Sequence, residues 1–174
     1  MSAPTIVEAP RDSETQRART AALLTAWARV WNPLLACDAK RASWEALGLP
    51  ESAEALEPEC WRVFHAAHPA PPAPLLAHAL LGMDGAQARE DWLRAIHHLR
   101  LTWSDRVLPP DHLAIACEVL AVALENDDAV LVRGLCTRYL DPWCAAAAER
   151  LAGEDSPVAM LPACLQADLA TIPR

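Results

Sequence analysis

Apolar residues recur along this chain with the period of an α-helix. Leu23, Leu24, Trp27, Val30, Trp31 and Leu34 repeat at i, i+3, i+4 and i+7, which sets them on one helical face. The pattern turns helical at Ser13. Residues 1–12, with two prolines among mixed polar side chains, read as a loose tail. Pro33 ends or kinks the first helix. Ser43–Leu47 reads as a short helix closed by Gly48. Residues 52–67 read as another, with Pro58 a candidate break and Trp61 and Phe64 turned inward. Pro69-Ala-Pro-Pro-Ala-Pro74 favours extended polyproline geometry and serves as a rigid connector. Leu75–Leu81 is a short apolar helix stopped by Gly82. Asp84-Gly85 starts one that runs to Leu99, with Trp92, Leu93, Ile96 and Leu99 on one face.

The segment 101–108 reads as a loop carrying Trp103. Pro109-Pro110 then opens the most apolar helix, over 110–126. Proline suits a helix start because its missing N–H would be unpaired there, and Asp111 in the first turn complements the helix dipole. Asp127-Asp128 begins the next helix, through Val130, Leu131, Leu135 and Tyr139. Asp141-Pro142 restarts the chain as a helix to Leu151, with aspartate as N-cap, and Ser156-Pro157 starts the last one in the same way. No pair of alternating apolar runs flanks a hairpin turn, and no fixed-period repeat occurs. The expectation is an all-α fold: residues 13–174 as a single helical bundle domain of about seven to nine helices.

Composition narrows the function classes. The chain has 174 residues, enough for one sizeable core, and its net charge of −8 argues against nucleic-acid binding. The N-terminus lacks the basic and apolar regions of a secretory signal, and no apolar stretch approaches a membrane span. A cytoplasmic chain without membrane insertion is expected. Its six cysteines have no CxxC spacing, so they read as reduced thiols packed as small apolar residues. Phosphate-binding glycine loops, zinc-protease motifs and nucleophile elbows are absent from the sequence. His65 and His68 could share a helix face, with Cys60 and His78 as the nearest further ligand types, but a helix end with solvent-facing imidazoles explains them better. His97-His98 point about 100° apart on a helix, one to the surface and one partly inward. No cofactor and no metal is expected.

Two positions invite a functional reading. Glu118 interrupts a helix that is apolar nearly all round, so its carboxylate must be paired, exposed at a groove or shifted toward neutrality. Asp111, Glu118 and Glu125 are spaced by seven and form an acidic stripe. This is either the solvated edge of the helix or the rim of a groove. Asp111-His112 is either a plain helix cap or a contact for a peptide or anion.

Leu108-Pro-Pro-Asp-His-Leu-Ala-Ile-Ala-Cys-Glu118 resembles the Pro-Asp-His-Leu…Glu signature of the TorD/DmsD/NarJ-like chaperones, which mature molybdopterin oxidoreductases. Arg138-Tyr-Leu-Asp-Pro-Trp143 is similar to their His-Leu-x-Pro-Trp helix start, and Ala21–Leu35 to their first helix. Where many members carry Tyr-x-x-Leu-Phe, this chain has Cys60-Trp-Arg-Val-Phe64, and its 69–85 region is shorter. The branch it most resembles serves type II enzymes of the dimethyl sulfoxide reductase family. The resemblance implies a chaperone without turnover that binds the client's catalytic subunit and its twin-arginine signal peptide before cofactor insertion. It places Pro110, Asp111 and His112 in the peptide-binding area, with Glu118 behind them and Trp103 and Trp143 as apolar contacts. Both a monomer and a domain-swapped dimer remain open. The competing reading is a small nucleotide-binding protein or enzyme that uses Asp111, His112 and Glu118. A retained subunit of the mature complex is a third.

Overall fold

The computed structural model describes residues 11–104 and 108–173, with the side chains of 11–13 left out. Most of the predicted tail lies outside the described residues, but Arg11 already belongs to the first helix. Nine α-helical segments follow: α1 (Arg11–Trp31), α2 (Cys37–Ala46), α3 (Ala53–Cys60), α4 (Ala77–Leu81), α5 (Gly85–His98), α6 (Leu113–Glu125), α7 (Ala129–Leu135), α8 (Asp141–Leu151) and α9 (Leu161–Leu169). A π turn over Trp61–His65 extends α3, and another over Cys136–Leu140 joins α7 to α8, so the unbroken rods number eight. No strand occurs among the described residues; the only β pairing there is an isolated antiparallel bridge between Leu76 and His112. The all-α expectation holds.

The core is organised on α6, which lies along α1 and also carries α5 and α7. Its alanines let the neighbouring helices approach closely, while Leu113, Leu120 and Leu124 fill the space between them. Near the C-terminal end of α1, Trp27 stacks on Trp31 at 5.4 Å between ring centroids. Trp31 in turn meets Phe64 and Trp143 edge-on at 5.1 and 5.9 Å. Trp27 also donates to Asp168 at 2.6 Å and so ties α1 to α9. No helix among the described residues is long and apolar enough to cross a membrane.

Several expected boundaries move, each for a local reason. Leu34 is exposed because α1 stops at Trp31, before the chain can carry it round to the buried face. Pro58 does not break α3: the helix runs past it into the π turn, where Ala66 N–H donates to the carbonyl of Trp61 at 2.8 Å. A π turn holds an extra residue. Phe64 stays in the core, but Trp61, expected inside, is 43% exposed. Asp141-Pro142 is not a fresh start either. Leu140 and Asp141 already have helical dihedrals, and the wider π turn before Pro142 absorbs the proline that would clash with a regular turn. The last helix begins at Leu161 rather than at Ser156, with Pro162 in its first turn. Leu93, expected to face inward, is half exposed, and both His97 and His98 are exposed. None of the six cysteines forms a disulfide; Cys117, Cys136 and Cys144 are buried, the other three half-buried.

Candidate functional site

The helix start that the Pro109-Pro110 pattern predicts is displaced. Helix α6 begins at Leu113, not at Pro110: residues 109–112 form a turn in which His112 N–H donates to Pro109 O at 3.0 Å, and the extended His112 bridges to Leu76 at the approach to α4. Leu113 N–H donates to Leu75 O at 2.8 Å and Ala77 N–H to Asp111 O at 3.0 Å. These two bonds stitch the Pro-Asp-His segment to the end of the proline-rich connector. Pairing with that segment satisfies the backbone groups that a further helical turn would otherwise have served.

The change inverts the role of Asp111. It does not sit in the first turn of α6, and it is fully buried. One carboxylate oxygen, Oδ2, accepts from His78 Nδ1; the other, Oδ1, lies 3.5 Å from Arg89 Nε without a hydrogen bond. The predicted stripe of Asp111, Glu118 and Glu125 is therefore broken, with only the two glutamates exposed on α6. Gly85 makes room for the arrangement: a Cβ there would lie 3.0 Å from the His78 ring.

His112 is the N-cap of α6. Its Nδ1 accepts from Ala114 N–H at 3.2 Å, which leaves the ring proton on Nε2. The ring is buried and stacks on His65, 6.5 Å away and 16° from parallel, and His65 packs at 4.9 Å on Trp61. Burial drives both imidazoles toward the neutral form, with His65 and His112 each brought down to about 4. The Pro-Asp-His segment thus reaches the surface by two routes, through Asp111 to His78 and Arg89, and through His112 and His65 to Trp61. Lys40, Cys37 and Cys60 line a small recess beside Trp61, and burial pushes the Cys60 thiol up to about 12.

Pro110 is buried at the head of the segment, and Glu118 is exposed on a mostly buried helix. Trp103 is half-buried and donates to Leu108 O at 3.0 Å. With Leu93, Ile96 and Leu101 it lines an open cleft of about 450 Å³. Trp143 is core: it donates to Pro74 O at 3.1 Å and packs against Trp31. Asp111 and Glu118 do not converge on one reacting centre, because one is turned inward to His78 and the other faces solvent. No group of metal-ligating side chains that could hold an ion occurs among the described residues.

Sequence reasoning missed His78, Arg89 and His65 as partners of the motif. His78 lies 33 residues from Asp111, and no spacing rule joins positions so far apart. Because Arg89 and His78 can be rehydrated, removing their carboxylate costs less than breaking a sealed pair. Asp111→Ala should cost about 2 kcal/mol and lower the thermal midpoint by roughly 4–8 °C. Arg89→Ala should cost about 0.5 kcal/mol or less, since that pair is screened by water. Calorimetric melts of the two variants test the contrast, and equal losses would mean that Asp111 does not anchor the segment.

No family model matches the sequence, and no curated protein does. Among solved structures, the chain superposes on the crystal structure of a protein from Archaeoglobus fulgidus described as a redox enzyme maturation protein. The TM-score is 0.61 and the identity 17%, over 97% of this chain and 99% of that one. The two chains share one fold. At that identity the likeness extends to the course of the backbone and not to the chemistry of individual side chains.

Proposed function

We propose that this chain is a cytoplasmic maturation chaperone. Its client is the catalytic subunit of a molybdopterin oxidoreductase of the dimethyl sulfoxide reductase family. It holds that subunit, including a twin-arginine signal peptide, until the cofactor is inserted, and it turns nothing over. The observation that carries this reading is the shared fold along nearly the whole of both chains. The Pro-Asp-His resemblance adds the client class.

The geometry supports a division of labour within the motif. Pro110, Asp111 and His112 are buried, so they shape the site rather than touch a docked peptide. The surfaces they hold in place are Trp61 with His65 on one side and His78 with Arg89 on the other. Trp103 and its cleft offer apolar surface for the hydrophobic part of the peptide, and the exposed Glu118 offers charge for the basic part. Trp143 acts from within by fixing Pro74.

Calorimetric titration with a twin-arginine signal peptide from the client tests this. Trp61→Ala and Trp103→Ala should each weaken binding by about tenfold, or 1.4 kcal/mol, after correction for the folded fraction, with Trp103→Ala also lowering the melting temperature because it frees Leu108 O. His112→Ala should weaken it together with a loss of stability. Failure of the wild-type chain to bind either the peptide or the cofactor-free subunit would remove the proposal.

A further inference from the structure

Helices α5 and α7 both pack on α6, and an open groove of about 400 Å³ runs between them. Its floor is apolar, built from Ala95, Leu131, Leu135 and the ring of Tyr139. Val130 stands at its edge, 82% exposed, with no neighbour to cover it. Next to that floor, Val130 extends a contiguous apolar strip rather than standing alone, and such strips mark interaction sites.

Gly134 lies in the same groove, one residue before α7 passes into the Cys136–Leu140 turn, so that helical chain continues on both sides of it. Glycine weakens a helix relative to alanine, so a fold tolerates it there only for a reason. The fold supplies none: its φ is not left-handed, and a Cβ would meet nothing within 4 Å. What glycine does provide is a flat spot where another backbone can come close.

The charge around the groove runs against that of the molecule. The chain carries −8, yet among the charged groups that line the groove the most exposed are cationic. Arg94 is 64% exposed and Arg138 54%, while Asp91, the carboxylate both contact, is only 15% exposed. Asp91 lies beneath them, accepting from the Tyr139 hydroxyl at 2.7 Å. Glu90 is the outward-facing acid; it is 57% exposed, pairs with Arg94 and lies outside the lining of the groove.

We propose that this groove docks an acidic amphipathic helix of a protein partner. Its apolar stripe lies over Leu131, Leu135 and Val130, its backbone comes close at Gly134, and its flanking carboxylates meet Arg94 and Arg138. A twin-arginine segment carries the wrong charge for this rim. The groove adjoins the Trp103 cleft, since Arg94 lines both, but its rim charge calls for a different occupant, and the proposal does not depend on the signal-peptide assignment.

The test titrates the full-length chain into dye-labelled synthetic helices, read by fluorescence anisotropy. One helix has a leucine stripe with glutamate flanks; the other has the same stripe with lysine flanks. The glutamate helix should bind at least about tenfold more tightly than the lysine helix, with the difference shrinking as salt is added. Val130→Glu, at an exposed position, should leave the melting temperature unchanged and weaken the glutamate helix by about tenfold. Gly134→Ala should raise the melting temperature and still weaken docking, a combination that a purely structural glycine would not give. Equal or tighter binding of the lysine helix, no binding of either, or wild-type binding by both variants would overturn the proposal.

Discussion

Trp143→Ala is expected to cost about 4 kcal/mol of stability, the largest loss of any single substitution considered for this chain. The ring is buried and meets Trp31 edge-on at 5.9 Å, within the cluster that joins α1, the Trp61–His65 turn and α8. Alanine leaves a cavity the size of an indole between elements that cannot all close on it. It also frees Pro74 O, which the indole N–H holds at 3.1 Å. That carbonyl immediately precedes the Leu75–Ala77 backbone bonded to the Pro-Asp-His segment, so the loss spreads from core to site. The thermal midpoint should fall by roughly 8–16 °C. Trp143→Phe keeps an aromatic ring but drops the hydrogen bond, and should cost about half as much. Denaturant melts give both values. Signal-peptide affinity, corrected for the folded fraction, should fall less than in Trp61→Ala, because the side chain never reaches solvent and acts only through Pro74. A drop in affinity with stability intact would instead make Trp143 a contact residue, the role its sequence resemblance implies.

Trp143 also shows where reading the sequence succeeds and where it stops. Periodicity finds helices because burial of one face is a local, repeating demand, and α1, α5 and α6 follow from it closely. Capping chemistry finds Asp84 and Gly82, since each acts on its own turn. Starts that depend on a distant partner are lost. Pro109-Pro110 looks like a helix start, but the chain pairs with Leu75–Ala77 instead and delays the helix to Leu113. The same long-range pairing turns Asp111 from a surface dipole partner into a buried carboxylate under His78. The π turns are the other blind spot. Nothing in Cys60–His65 announces one extra residue per turn, and that one residue decides whether Trp61 is core or surface. Pro110, Asp111 and His112 stood out in the sequence, then, but the surface they present did not. Trp61, His65, His78 and Arg89 come together only in three dimensions.

Acid should destabilise the protein before its carboxylates begin to titrate. Both His65 and His112 sit near 4, below their ordinary 6.5, because burial disfavours the charged ring. Lys40 adds to the effect at His65, and His65 adds to it at His112, with Asp111 opposing. The unfolded chain therefore binds protons between pH 6.5 and 4 that the native chain refuses, and stability falls as pH falls through that window. Above pH 6.5 both states are neutral and the contribution is complete; below 4 both are protonated and nothing further is lost from these groups. Each ring adds up to about 1.4 kcal/mol per pH unit to the slope. Carboxylates held low, such as Glu54 beside Arg41 and Glu59 beside Ser156 and Arg62, contribute only from about 4.5 downward, near their ordinary value. The interval from 6.5 to 4.5 thus isolates the histidines. Urea unfolding across it should show a steep loss in the wild-type chain and a flatter one in His65→Gln, because glutamine binds no proton there. His112→Gln should flatten it as well, at the cost of the Nδ1 cap on Ala114. A wild-type profile that is level from 6.5 to 4.5, or a double variant as steep as the wild type, would show that the rings are not held neutral. The stacked pair linking Trp61 to the Pro-Asp-His segment would then have to be open to water.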